Sequence, residues 1–261
     1  DTVVPGGQIY VDSALIDAII TLFMVLFGIN FVMYYKLITR DFAEIKANEE
    51  LKWFLGIYFG ATLIITLVIL PEKGSFFSAI RYSSFQVASI ISTTGFCTVN
   101  FDLWPQVSRT ILVTLMFIGA CAGSTGGGLK VSRVMLMCKA VGRELRRLVH
   151  PRSVSTVTLE GKKVEETTVQ STAAYFILYM ALIAVVFFVL SFESFGLETN
   201  LTAAITCINN VGPGLGMVGP FGGFGAYSDL SKIVLAFAML LGRLEIYPLV
   251  LAMLPGTWTK Q

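Results

Sequence analysis

Charge is what this sequence has least of. Only 14% of its 261 residues are Asp, Glu, Lys or Arg, against 55% hydrophobic, and the mean hydropathy is +0.75. A soluble domain carries roughly 25% charged residues, so the deficit excludes an ordinary water-soluble globule and points to an integral membrane protein. The formal net charge of +2 is too small for a nucleic-acid partner. Histidine is nearly absent: His150 stands alone in a basic loop, which leaves no His-based metal site. No Cys-x-x-Cys pair exists; Cys97, Cys121, Cys138 and Cys207 are scattered and read as small apolar fillers. The apolar segments hold no clustered acids and no nucleophile–base–acid set, so neither an enzyme nor a bound cofactor is expected. The first residue is Asp1 rather than Met, and no signal-peptide pattern follows. The expectation is a fragment of a longer chain.

What remains is dominated by uncharged runs. Ala18 to Tyr35 and Trp53 to Leu70 are each long enough, with their flanks, to span a bilayer core of ~30 Å. Lys36 and Arg40 close the first, and Pro71 is expected to end the second. Ser75 to Ser92 is also helical in pattern, but it carries Arg81 and a polar face of Ser83, Ser84, Gln86, Ser89 and Ser92. About a dozen residues from Arg81 make a helix of ~18 Å, roughly half a membrane. That length fits a re-entrant pore helix followed by an extended strand, Ser92-Thr93-Thr94-Gly95-Phe96.

A long helix from Thr110 to Cys138 is expected to be broken at Ala122–Gly128, where Gly123, Gly126, Gly127 and Gly128 each cost a helix ~1 kcal/mol relative to alanine. A phosphate loop is not expected there, because the Gly-Lys-Ser/Thr ending and a preceding strand are both missing. Glu160-Gly161-Lys162-Lys163 reads as a turn. Thr167 to Phe192 is a further span, and Thr199–Asn210 a second half-length segment, leading into the glycine-rich stretch 211–225. Ser228 to Leu254 is the last helix, interrupted by Arg243 and Glu245.

Polar backbone at membrane depth is tolerated only where it is buried in protein or lines a cavity. An ion pathway built from backbone carbonyls and threonine hydroxyls accounts for the Thr93–Gly95 stretch. Glycine lets such a strand aim its carbonyls at the axis; ordinary turn glycines and helix-end capping by Thr93 and Thr94 are the plainer alternatives. Asn209-Asn210-Val211-Gly212-Pro213-Gly214 repeats the theme about 117 positions later. Leu26–Asn30, Phe117–Cys121 and Leu240–Leu244 overlay as the helices after each strand. Gly95 to Gly119 is 24 positions and Gly212 to Gly242 is 30. Either spacing applied to Gly28 puts an earlier strand at or before the chain start.

The expected fold is therefore an all-α membrane protein of repeated helix–pore loop–helix units around a potassium-channel-like pore. Residues 1–50 would be the last helix of one unit plus a loop, 51–140 a complete unit, 141–166 a basic linker and 167–261 a second complete unit. Further units would come from upstream sequence. Gly123, Ser124, Thr125, Gly126, Gly127 and Gly128 are expected to obstruct the pore, although a simple kink is the alternative. Arg243, at the centre of an apolar helix, needs a protein partner. Loop carbonyls or Glu245 could supply it, and Arg243 with the glycine loop would form a gate.

Basic residues cluster at 36–52 and 130–163, which the positive-inside rule places in the cytoplasm. Both strands then face outward and the C-terminus lies inside. The linker 139–152 reads either as an anchor near anionic lipid or as a docking face for a cytoplasmic regulator. A coupled secondary transporter with a small solute at broken helices is the alternative function, although the repeats here keep one order.

These residues resemble the Trk/Ktr/HKT superfamily of potassium transporters, most closely the C-terminal half of its bacterial TrkH branch. The motifs are Ser92–Phe96, Gly119–Lys130, Arg143-Glu144-Leu145-Arg146-Arg147-Leu148-Val149-His150-Pro151, Asn209–Gly216 and Gly242-Arg243-Leu244-Glu245. The resemblance implies uptake of K⁺ across the cell membrane through one pore of four units, usually in a dimer, with cytoplasmic nucleotide-binding regulatory subunits. It places filter glycines at Gly95 and Gly212, and K⁺ at the carbonyls of Thr93, Thr94, Asn210 and Val211. Phe96, where potassium-channel filters often have tyrosine, leaves the preference for K⁺ over Na⁺ open.

Overall fold

The computed structural model describes residues 2–4, 8–10, 13–151 and 156–244. A small antiparallel hairpin, β1 (Thr2–Val4) with β2 (Gln8–Tyr10), precedes the helices. The chain then runs through α1 (Ala14–Gly28), α2 (Phe31–Ile38), α3 (Phe42–Ala47), α4 (Glu49–Lys73) and α5 (Phe76–Ile91). Next come α6 (Gln106–Phe117), α7 (Val131–Val149), α8 (Glu166–Leu190), α9 (Leu197–Asn209) and α10 (Asp229–Arg243). Between α7 and α8 lies a second hairpin, β3 (Thr158–Leu159) with β4 (Lys162–Lys163), turned by Glu160 and Gly161 at φ 53° and 75°.

Two short helices sit at the centre. α5 is surrounded by α1, α4 and α6, and α9 by α6, α8 and α10. Their burial follows from their composition: small or polar residues such as Ala88, Ser89, Ala203 and Ala204 let neighbouring helices close on them. Ile65, Ile91, Leu112, Met116, Leu190 and Ile205 fill the space between. The outer faces stay apolar, as Phe59, Leu63 and Leu67 on α4 and Ile177, Val185 and Phe188 on α8 are exposed. That inversion of the soluble pattern suits a hydrocarbon solvent. α4 and α8 are long and apolar enough to cross a bilayer, and α1 with α2 makes a third candidate, bent by 95°.

Three expectations need correction. The run Ala18 to Tyr35 is not one helix. It breaks at Gly28–Asn30, because Gly28 O accepts from Cys121 N at 3.0 Å and Phe31 N donates to Gly123 O at 3.2 Å. Asn30 caps the new helix through Val32 N. Pro71 does not end α4, which runs on to Lys73 and stops at Gly74, φ 64°. A proline in the last turn removes only one hydrogen bond, and Pro71 is exposed. The helix from Thr110 stops at Phe117 rather than at Ala122 and restarts only at Val131. Gly119 N bonds Leu129 O and Val131 N bonds Ala120 O, so the flanks of the loop pair with each other instead of continuing the helix. The far end of the last helix, Glu245 included, lies outside the described residues.

On the opposite side, α10 begins at Ser228, whose side chain caps Ser231 N. Glu193 accepts from both serine hydroxyls and from Ser228 N. Those hydroxyls, foremost Ser228, hold its carboxyl below the ordinary value of 4.5.

Candidate functional site: two polar strands above a glycine-rich loop

Each central helix ends in a residue with left-handed backbone, Thr93 at φ 55° and Asn210 at φ 55°. Two positions later each strand has a glycine with positive φ, Gly95 at 81° and Gly212 at 113°. For a β-branched threonine the left-handed region is an outlier that the surroundings must enforce. They do so with one hydrogen-bonding scheme used twice, 117 positions apart. Thr93 N donates to Ile90 O and Asn210 N to Cys207 O. Thr94 N donates to Ser89 O at 2.9 Å and Val211 N to Thr206 O at 3.0 Å. Ser89 Oγ reaches forward to Phe96 O at 2.7 Å, and Thr206 Oγ1 to Pro213 O at 3.2 Å.

Ser89 and Thr206 hold both strands in place, a role the sequence reading does not assign to either. Their signal was present, since they stand at the same offset as the glycines. Their bonds leave a particular set of groups without partners. Among the described residues, the carbonyls of Thr93, Thr94, Asn210, Val211 and Gly212 accept no hydrogen bond. Val211 is buried, Thr93 and Asn210 are half-buried, and Thr94 and Gly212 are exposed, so these free carbonyls line an open surface where the strands come together.

The two strands meet. A Cβ at Gly95 would lie 2.3 Å from Val211 O, and one at Gly212 would lie 3.6 Å from Gly95 Cα. Above them opens a cavity of 740 Å³ lined by Gly95, Phe96, Thr98, Gly212, Pro213 and Asp17 among others. Asp17 is buried and pairs with Arg81 Nε at 2.7 Å, which ties α1 to α5.

The threonine hydroxyls of the first strand also hold the structure together. Thr93 Oγ1 accepts from Gly127 N at 2.8 Å, and Thr94 Oγ1 shares a hydrogen bond with Ser92 Oγ. The left-handed turn swings the Thr93 side chain down onto the loop. That loop, Ile118–Lys130, lies directly beneath both strands. Cβ atoms at Gly126 and Gly127 would meet Ala120 Cβ and Asn209 O, each at 2.7 Å. Glycine is needed here for close approach, and the loop is packed rather than slack. Gly123 meets Asn30, Gly128 meets the Asn209 side chain, and Asn209 Oδ1 accepts from Tyr179 at 2.8 Å. Ser124 Oγ folds back onto Cys121 O.

Arg243 Nη1 donates to Thr125 O at 2.9 Å, and Lys130 Nζ donates to Gly126 O. Arg243 is exposed and is the last described helical residue of α10; the expected continuation to Leu254 lies outside the described residues. Gly242 beside it packs so tightly that a Cβ would fall 1.6 Å from Ile208 O.

The profile of one family, described as a cation transport protein and called TrkH, matches residues 8–257. The Trk system potassium uptake protein TrkH of Escherichia coli strain K12 is 34% identical over 258 residues, 96% of this chain and 52% of that protein. The same organism's TrkG is 31% identical over 250 residues, 93% of this chain and 50% of TrkG. The crystal structure of the potassium transporter TrkH from Vibrio parahaemolyticus superposes with a TM-score of 0.87 at 33% identity. It covers 96% of this chain and 54% of that one. The chain thus spans about half the length of the relatives it matches, and over that span it belongs to the TrkH family of cation transport proteins.

Proposed function

We propose that this chain forms part of the wall of a pore for K⁺ uptake, with Thr93, Thr94 and Gly95 on one strand and Asn210, Val211 and Gly212 on the other. The observation that carries this is the row of unpaired carbonyls, set by one hydrogen-bonding scheme used twice. Carbonyl oxygens of that kind replace the hydration shell of a monovalent cation. The C-terminal ends of α5 and α9 point at the same place and add their negative dipole ends. Two strands do not enclose an ion, and four units do; the relatives, about twice as long, are named as potassium uptake proteins.

The loop Gly123–Gly128 would obstruct the path beneath the strands, held there by Arg243, so that loop and arginine act as a gate. The two basic clusters lie at one end of the fold, joined by Lys139 to Glu49 and Asn48 to Glu160. This supports a common cytoplasmic side in the cell membrane, with the strands toward the outside. Dimerisation and nucleotide-binding cytoplasmic subunits belong to the same proposal.

The test is ⁸⁶Rb⁺ uptake by the four-unit transporter in a K⁺-uptake-deficient bacterium, with Na⁺ and Cs⁺ as competitors. A Gly95→Ser side chain would collide with Val211 O and should weaken discrimination against Na⁺. No Rb⁺ uptake by a folded, inserted protein with its cytoplasmic partner present would overturn the reading. So would unchanged selectivity in the variant.

A further inference from the structure

Glu50 is a buried carboxylate that neither strand uses. It is the second residue of α4 and is 7% exposed. Its Oε1 accepts from Ala122 N at 2.7 Å and from Ser132 N at 3.0 Å. These donors stand on either side of the glycine-rich loop. Ala122 directly precedes Gly123, and Ser132 lies in the first turn of α7. The residue before α7, Lys130, offers that helix no side-chain cap. Glu50 therefore takes an orphan N–H at the positive end of α7. Capping would account for the Ser132 bond alone. The Ala122 bond adds something else: one oxygen ties the two ends of the loop to a separate helix.

The segment bearing Glu50 is itself anchored. Lys139 donates to Glu49 and to Thr158 O, and Asn48 Nδ2 donates to Glu160 Oε1 at 2.6 Å. Glu50 thus stands on a base that includes the β3–β4 hairpin. Hydrogen bonds to a charged acceptor are stronger than neutral ones, and their loss here strands two N–H groups at once.

We propose that Glu50 is a positioning residue for the glycine-rich loop: its carboxylate keeps the loop seated beneath the strands, and its removal releases the loop. The inference rests on the gate reading above, and its test separates the two. Cys121 adjoins Ala122 and is 1% exposed, so its thiol is a native reporter of seating. In the four-unit transporter with every cysteine other than Cys121 replaced by serine, Cys97, Cys138 and Cys207 included, the rate of Cys121 reaction with a small membrane-permeant maleimide reads loop release without reference to flux. Glu50→Gln keeps the shape and loses the charge; Glu50→Asp keeps the charge and loses the reach. Either can stand in for Glu50→Ala if that variant does not fold.

The expected result is a rise of about tenfold or more in Cys121 modification and in unstimulated ⁸⁶Rb⁺ uptake; tenfold is the scale of the Ala122 bond alone, and loss of the Ser132 bond adds to it. Wild-type rates for both readouts in folded, inserted variants would overturn the inference. Faster Cys121 modification with unchanged uptake would leave Glu50 as the loop's holder and overturn the gate instead.

Discussion

Replacing Gly127 by alanine isolates the seating of the loop from everything else. Gly127 does not need left-handed backbone, so an alanine there carries no dihedral strain. What it meets is steric: the new Cβ would lie 2.7 Å from Asn209 O and 3.2 Å from Asn210 Cβ. Ordinary contact begins at 3.4 Å, so loop and strand must part by about 0.7 Å, the scale of an overpacked core. The partner is a backbone carbonyl at the end of α9 and has little freedom to yield. Overpacking of this kind costs ~1–3 kcal/mol, and the cost falls only on the state in which the loop is seated. At about 1.4 kcal/mol per factor of ten, the unseated population should rise roughly 5- to 150-fold. The hydrogen bond from Gly127 N to Thr93 Oγ1 should lengthen as well, which adds to the effect. The assay is unstimulated ⁸⁶Rb⁺ uptake at matched membrane abundance, paired with a thermal melt in detergent. Uptake should rise while Tm falls. A fall in Tm with uptake unchanged or reduced would mean that the loop is structural, and would refute its role as an obstruction.

Other perturbations act through different parts of the fold. Asp17→Asn removes the charge that pairs with the half-buried Arg81 side chain at 2.7 Å and should destabilise the protein by about 1.5–3 kcal/mol, the scale of a charge-assisted hydrogen bond, read as a lowered Tm. Glu193 has a depressed pKa in the folded state, so its contribution to stability is present above pH 4.5 and is lost as pH falls through the lower folded value. Glu193→Gln should therefore flatten the acid limb of a Tm-against-pH curve and leave the alkaline limb unchanged. Arg243→Ala removes one exposed donor to Thr125 O and should raise unstimulated uptake by less than Gly127→Ala does in the same assay.

The elements that carry local signals were legible in the sequence. The shortness of α9, the paired glycines and the helix-breaking loop all follow from polarity and glycine content, which act on the nearest few residues; α5 is longer than the dozen residues from Arg81 expected of it, beginning at Phe76 and running 16 residues. What escaped was set by distant partners. The break at Gly28 looks like an ordinary apolar run, because the groups that make it stable, Cys121 N and Gly123 O, lie more than ninety positions away. Asn30, a good cap residue inside a hydrophobic stretch, was the available hint. Pro71 read as a stop because the usual rule concerns helix interiors, whereas it occupies a last turn closed by Gly74. Thr93 and Thr94 do follow α5 as the sequence suggests, but the direction of their hydroxyls depends on the left-handed backbone at Thr93, which residue type does not encode. Glu50 looked like one more charge in a charged loop, since nothing near it in sequence records that two backbone N–H groups converge on it.

The broken first helix has a consequence for how quickly the loop could leave its seat. Gly28 O, Phe31 N and Phe27 O are paired with Cys121 N, Gly123 O and Thr125 Oγ1. Withdrawal of the loop uncouples all three pairs together. In a dry interior each stranded group would cost about 1–3 kcal/mol, a sum that thermal motion rarely meets. Water arriving at Gly28–Phe31 removes most of that cost by bonding the same groups. Wetting of this notch would therefore precede or accompany release, and the rate of opening would depend on how readily solvent reaches it.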